Sequence, residues 1–179
     1  MFRLEGYGLR QLGRSDAAAI QGLLVRSAEF IHLIEGREVG PSDGAELLRD
    51  RPPDAPKMKK RVIGLFAGPE LVGLIEFLIG YPSEGTWFVG LFLLDPERRR
   101  AGLGRAFYEA FEAWALVQGA KTVRLAVQDQ NAAAFRFWSR QGFSSTGTVI
   151  QDLPNKRNTV HRMAKGLSAD AQARAGEDA

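Results

Sequence analysis

The residues best suited to chemistry stand together in the segment Asp95-Pro96-Glu97-Arg98-Arg99-Arg100-Ala101-Gly102-Leu103-Gly104. It follows an apolar run, Trp87 to Leu94, and precedes a run with helical spacing through Leu103, Phe107, Ala110, Phe111 and Trp114. A helix starting at such a turn has N–H groups without partners inside the helix, and its dipole favours an anion there. Gly102 and Gly104 let the backbone approach a diphosphate closely, while Arg98, Arg99 and Arg100, with Arg105 behind them, supply charge. Charge-assisted hydrogen bonds of about 1.5–3 kcal/mol each make a few such contacts enough to hold it. The plain alternative is a glycine turn with solvated arginines. A dinucleotide loop would need glycine or alanine where Phe107 stands, and a Walker loop would need a Gly-Lys-Ser or Gly-Lys-Thr that is missing here.

The elements around this segment alternate between two periods. A first strand is expected over Tyr7 to Leu12, then a helix capped by Ser15 or Asp16 and running to about Glu29, then a short helix near Ala45 to Leu48. Three prolines between Arg51 and Pro56 mark a surface loop. Arg61 to Ala67, Leu71 to Ile79 and Trp87 to Leu94 are strand-forming runs joined by short turns, hence antiparallel. The third is apolar on both faces, as befits a central strand. The amphipathic run from Leu103 is stopped by Gly119, and Thr122 to Val127 forms the next strand, which makes a parallel crossover. Asn131 caps a fourth helix with Ala134, Phe135 and Trp138 on its inner face, closed by Gly142; Phe143 to Ile150 and Val160 to Lys165 are the last strands.

Two motifs in this frame resemble a known family. Arg99-x-x-Gly102-x-Gly104 is similar to the Gln/Arg-x-x-Gly-x-Gly/Ala signature of the GNAT superfamily of N-acetyltransferases, and Asn131 through Gly142-Phe143 resembles that superfamily's second segment. The resemblance implies an α/β fold of the α+β kind: a mixed, mostly antiparallel sheet of about seven strands, open in the middle, flanked by about four helices. It implies acetyl-CoA as cofactor and an amine as acceptor, with direct attack in a ternary complex. The pyrophosphate would rest on the main chain of Arg99, Arg100, Ala101, Gly102, Leu103 and Gly104, and pantetheine against the main chain of Phe92 and Leu94. Asn131, Phe135 and Trp138 would complete the cofactor site. Asn131 is equally explained as a helix cap.

The sequence departs from the family where proton transfer is concerned. Trp138 stands where many relatives have a tyrosine that protonates the departing thiolate, and an indole cannot do so. A thiol of pKa about 8.5 costs only about 2 kcal/mol to release near neutral pH, so water suffices, with Ser139 and Tyr108 as other candidate donors. An amine of pKa about 10.4 must give up a proton at about 4.6 kcal/mol, and Phe88 and Gly90, which match a base position in some relatives, cannot accept it. Glu76, alone in an apolar strand, is the substitute base, with an outward-facing surface carboxylate as the alternative. By analogy Glu29 and Tyr81 line the acceptor pocket. A small-molecule amine is the favoured acceptor; a peptide or protein acceptor and a non-catalytic acyl-CoA sensor are the rivals.

Composition bounds the rest. The 179 residues are 45% apolar, suiting a single domain over 1–167 with a disordered tail at 168–179. Without cysteine there is no covalent thiolate carrier or Cys-based zinc site, and His32 and His161 have no ligand spacing, so no metal is expected. A net charge of +3 without a long basic stripe argues against nucleic acid, and the absence of a long apolar stretch or signal-like start argues against a membrane and for the cytoplasm. The oligomeric state stays open between monomer and homodimer.

Overall fold

The protein is described by a computed structural model covering residues 2–51 and 58–168; the loop expected between Arg51 and Pro56 lies, from 52 on, outside the described residues, as does the tail expected at 168–179 from 169 on. In chain order the elements are β1 (Gly8–Gln11), α1 (Ala17–Arg26), α2 (Ala28–Glu35), α3 (Asp43–Arg49), β2 (Lys59–Ala67), β3 (Glu70–Ile79), β4 (Thr86–Leu94), α4 (Leu103–Val117), β5 (Thr122–Gln128), α5 (Ala132–Arg140), β6 (Ser144–Leu153) and β7 (Lys156–Gly166). The strands form one seven-stranded sheet in the order β1-β2-β3-β4-β5-β7-β6, antiparallel except for the β4/β5 pair joined by the α4 crossover.

The apolar runs of β2, β3 and β4 are covered on both faces, which is why they do not alternate with polar residues. On one face Ile63, Leu65, Ile75, Phe77, Trp87 and Val89 pack against Phe107 and Phe111 of α4 and Trp138 of α5. On the other, Val62, Phe66, Leu74 and Leu93 pack against Ile20, Leu23 and Leu24 of α1 and Ile31 of α2. No single helix among the described residues is long and apolar enough to cross a membrane.

Two features of this frame create a site. First, Gly90 is an extra residue in β4: Phe77 lies opposite Val89 and Glu76 opposite Leu91, so β4 bulges and bends. β4 pairs with β5 only from Thr86 to Val89; beyond the bulge it stays bonded to β3 as far as Leu94, while its other edge has no strand beside it among the described residues. The sheet therefore splits into two arms, β1 to β4 and β5-β7-β6.

Second, there are five α-helices among the described residues, where about four were expected: the first expected helix ends at Arg26 and not at about Glu29, and α2, lying mostly beyond that expected end, is an additional helix. Ser27 N–H bonds to Leu23 and Leu24 O, closing α1, and α2 restarts in a new direction. The turn lets α2 bridge the split. The Leu33 carbonyl accepts from Lys156 Nζ (2.5 Å) and Gln130 Nε2 (3.1 Å), and the Ile34 carbonyl from Asn158 Nδ2 (2.8 Å). These bonds satisfy carbonyls that a helix end otherwise leaves open, and they tie the first arm's helix to the second arm.

Candidate acetyl coenzyme A site

The split opens into a cleft of about 1130 Å³, slightly above the usual size range of small-molecule sites. It is bordered by the freed part of β4, by α4 from its start as far as Glu112, by α5 along its length, and by Phe30 of α2 and Lys165 of β7. Of the sequence-expected residues, Phe92, Leu94, Arg99, Arg100, Gly102, Gly104 and Asn131 all line it.

The turn after β4 is built for an anion. Arg100 has φ 69° and Gly102 φ 79°, so two left-handed residues curl the main chain. The first N–H bonded back into α4 is that of Ala106, to Gly102 O at 3.1 Å, which leaves the amides of Leu103, Gly104 and Arg105 without helical partners. Leu103 itself is buried, so its contribution is main chain only; Ala101 is exposed at the tip of the turn. A Cβ on Gly104 would lie 3.3 Å from Leu94 Cδ1 and 3.6 Å from the Phe137 ring, so this glycine lets α4 approach β4 and α5.

The turn is anchored from below by residues whose role the sequence did not reveal. Asp95 is 4% exposed, accepts from Glu97 N–H at 3.1 Å and is hydrogen-bonded by Arg26 Nε; Arg26 Nη2 also donates to Leu71 O at 2.8 Å. Burial alone would raise the Asp95 pKa, but the Arg26 and Glu97 hydrogen bonds outweigh it and hold it below the ordinary carboxylate value. Its contribution to stability is thus present above that ordinary value and is lost as pH falls through the lowered folded-state value. Asp95→Asn should cost about 2–4 kcal/mol in urea unfolding and loosen the turn enough to weaken coenzyme A binding, as calorimetry would measure. Arg99 donates from Nε to Leu94 O at 3.0 Å, and burial draws its guanidinium below its usual pKa against the opposing pull of Asp95 and Glu29.

Residues 19–143 match the sequence profile described as the Acetyltransferase (GNAT) family. The chain belongs to the GNAT family of acetyltransferases. As a GNAT protein it is an acetyl-CoA-dependent N-acetyltransferase. Its fold is similar to that of an acetyltransferase from Thermus thermophilus, at 25% identity and TM-score 0.73 over 93% of this chain and 100% of that one. It is similar also to a Salmonella typhimurium acetyl transferase that modifies the N-terminal serine of ribosomal protein L7/L12 (14%, TM-score 0.77, 92% and 97% covered). A third likeness is to spermidine N-acetyltransferase from Vibrio cholerae, solved with CoA and spermine (20%, TM-score 0.68, 91% and 96% covered). No curated protein sequence matches the chain.

Against the GNAT frame, the remaining expected residues divide. Asn131 is the α5 cap, its side chain accepting from Ala134 N–H at 3.1 Å, and it also lines the cleft. Phe135 lies off the cleft wall, edge-on to His161 at 5.0 Å, and Phe137 takes the wall instead, stacked on Phe92 at 5.8 Å and 13°. Trp138 is 6% exposed and sits one layer deeper, against Phe92, Tyr108 and Phe143. Ser139 is exposed, off the cleft wall, and donates to Phe135 O at 2.9 Å. Tyr108 is fully buried, and burial, with Glu112 nearby, pushes its hydroxyl far above the ordinary tyrosine pKa, as suits a core aromatic. The Glu112–Lys165 pair, at 2.6 and 2.7 Å, lines the cleft between α4 and β7 and gave no signal in sequence, since each residue lies alone in an unremarkable run.

Because Trp138 lies this deep, restoring the family's commoner residue with Trp138→Tyr should leave kcat within about threefold: a hydroxyl placed there starts behind Phe92. Stability should fall by about 1–3 kcal/mol through the lost indole volume. A large rise in kcat would show that position 138 reaches the reacting sulfur.

Glu76 is 9% exposed, and burial raises its carboxyl pKa against the lowering effect of Lys60, whose Nζ is 3.5 Å away. Its side chain occupies the space above the bulge: a Cβ on Gly90 would fall 2.2 Å from Glu76 Oε2. The carboxylate of β3 thus stands where a side chain of β4 would stand, which answers the outward-facing alternative. Glu29 is exposed at the start of α2 and close enough to influence Arg99, so it faces the anion turn. Tyr81 packs edge-on to Phe88 at 5.7 Å, at the opposite end of β4 from that turn.

Proposed function

We propose that the chain transfers the acetyl group of acetyl-CoA to a small primary amine by direct attack in a ternary complex. The observation that carries this reading is the freed edge of β4 running from a buried carboxylate at Gly90 to a turn of unpartnered amides at the start of α4. Acetyl coenzyme A, when bound, supplies the activated acetyl group as a thioester. The amides of Gly102 to Arg105, with Arg99 and Arg100, hold the diphosphate. Phe92 and Leu94 offer main-chain groups to the pantetheine amides, and Phe92 and Phe137 exclude water beside them. Glu76 takes the proton from the acceptor ammonium, directly or through one water, its raised pKa bringing it closer to the working pH. Water protonates the departing sulfur.

A small acceptor is favoured over a polypeptide because the α2 bridge to Gln130, Lys156 and Asn158 spans the split that an extended chain would have to cross. Thiol release from acetyl-CoA, followed across a panel of small amines and N-terminal peptides, tests the reading: turnover with small amines is expected. Tight coenzyme binding without thiol release for any amine would make the protein an acyl-CoA sensor instead.

A further inference from the structure

A split sheet has two mouths. The cleft lined by α4 and α5 takes one, so an acceptor amine must approach the thioester from the other face, which carries α1 and α2. Residues directly opposite in a ladder share a face, and the registers define two rows there. One row runs Lys60, Leu78, Phe88, Arg124, Ala164; the next runs Val62, Glu76, Leu91 on the first arm and Ala126, Arg162 on the second.

The second arm is buried on the opposite face through Val123, Leu125 and Val127, whereas Arg124, Ala126 and Arg162 are exposed on this one. Arg124 and Arg162 are diagonal neighbours on adjacent strands, within reach of a common ligand. Neither makes a side-chain hydrogen bond or ion pair among the described residues, although acidic side chains elsewhere engage Arg10, Arg26, Arg37 and Arg105. Between these arginines and the Glu76 carboxylate the floor is small and open: Gly90 and Ala126, both exposed, flank the split. Tyr81 and Phe88 stand at one end, and α2, bonded to Asn158, closes the other.

Resting on the acetyltransferase reading, we infer that the acceptor is an amine that also carries a carboxylate, as an α-amino acid does, with its carboxylate on Arg124 and Arg162 and its amine turned toward Glu76 across the Gly90–Ala126 floor. Two guanidinium groups bind a carboxylate in a planar, charge-assisted manner, and they repel a polycationic acceptor. The charge order across the split, negative on β3 and positive on β5 and β7, matches a zwitterion.

The test compares glycine, leucine, phenylalanine and glutamate with their amides, their decarboxylated amines and spermidine, by thiol release with wild-type protein and the Arg124→Met/Arg162→Met double variant. At least one amino acid is expected to exceed its amide and its decarboxylated amine in kcat/KM by about 30-fold or more in the wild type, a preference that collapses in the double variant while coenzyme A affinity holds. Preference for spermidine or the decarboxylated amines, or an amino-acid preference that survives in the variant, overturns the inference. Should no amine be turned over, the acetyltransfer reading fails, and calorimetry of the same amino acids with coenzyme A-loaded protein still decides the anion site. Binding abolished by the double variant upholds it; no binding, or binding unchanged in the variant, sinks it.

Discussion

Replacing Gly102 with valine weakens coenzyme A binding about 100-fold while the protein still folds, because the loss of aligned amides removes about two charge-assisted contacts. The position has φ 79°, and a Cβ there meets nothing within 4 Å, so the penalty is conformational and not a clash. A β-branched residue resists the left-handed region, so the turn must reopen and its amides diverge. Gly68→Val is the matched control: φ is 58°, space is equally open, and the turn lies between β2 and β3, away from the cleft. Both variants should lose similar stability in urea, but only Gly102→Val should lose coenzyme affinity by calorimetry. Equal affinity in the two would remove the turn from the binding site.

Glu76→Gln lowers kcat about 100- to 1000-fold with the KM for acetyl-CoA little changed, the size expected for removing a general base. The sign of the pH dependence follows from burial. The carboxyl must be ionised to accept a proton, and its pKa is raised, so the wild-type rate falls with decreasing pH at a midpoint above the ordinary glutamate value. That limb disappears in the glutamine variant. Lys60→Met removes the nearby cation that lowers this pKa, so the limb moves further toward neutral pH. A Glu76→Gln enzyme with near wild-type kcat and an unchanged acid limb would assign proton removal to another group.

The contrast between Glu76 and its surroundings shows what sequence can and cannot carry. The apolar runs of β2, β3 and β4 and the helical spacing of α4 were legible because burial on one face or two imprints a period on the chain. The anion turn was legible because Gly102 and Gly104, with arginines before them, stand between a strand-forming run and a run of helical period. Alternation within β3 could only place Glu76 on one face or the other. The bulge at Gly90, a relation between two strands, is what sets the carboxylate beside the split.

The same limit explains the helices. Apolar residues continue from Ile20 through Ile31 with no proline or glycine at the junction, so nothing local announces that the helix stops at Ser27. Its cause is remote: α2 turns to bond Gln130, Lys156 and Asn158 of the other arm. On α5, Phe135 and Phe137 lie about 200° apart around the axis, and the docking of the helix, fixed by Trp138 in the core, decides that Phe137 faces the cleft. The Asp95–Arg26 anchor joins residues distant in sequence, and neither was distinguishable from a surface charge until they met.

Amide chemical shifts followed by NMR during a coenzyme A titration test the central claim most directly. The largest changes should fall on Gly102 to Arg105 at the start of α4 and on Phe92 and Leu94 along the free edge of β4. Saturable binding that moves other amides and leaves these unchanged would contradict the account.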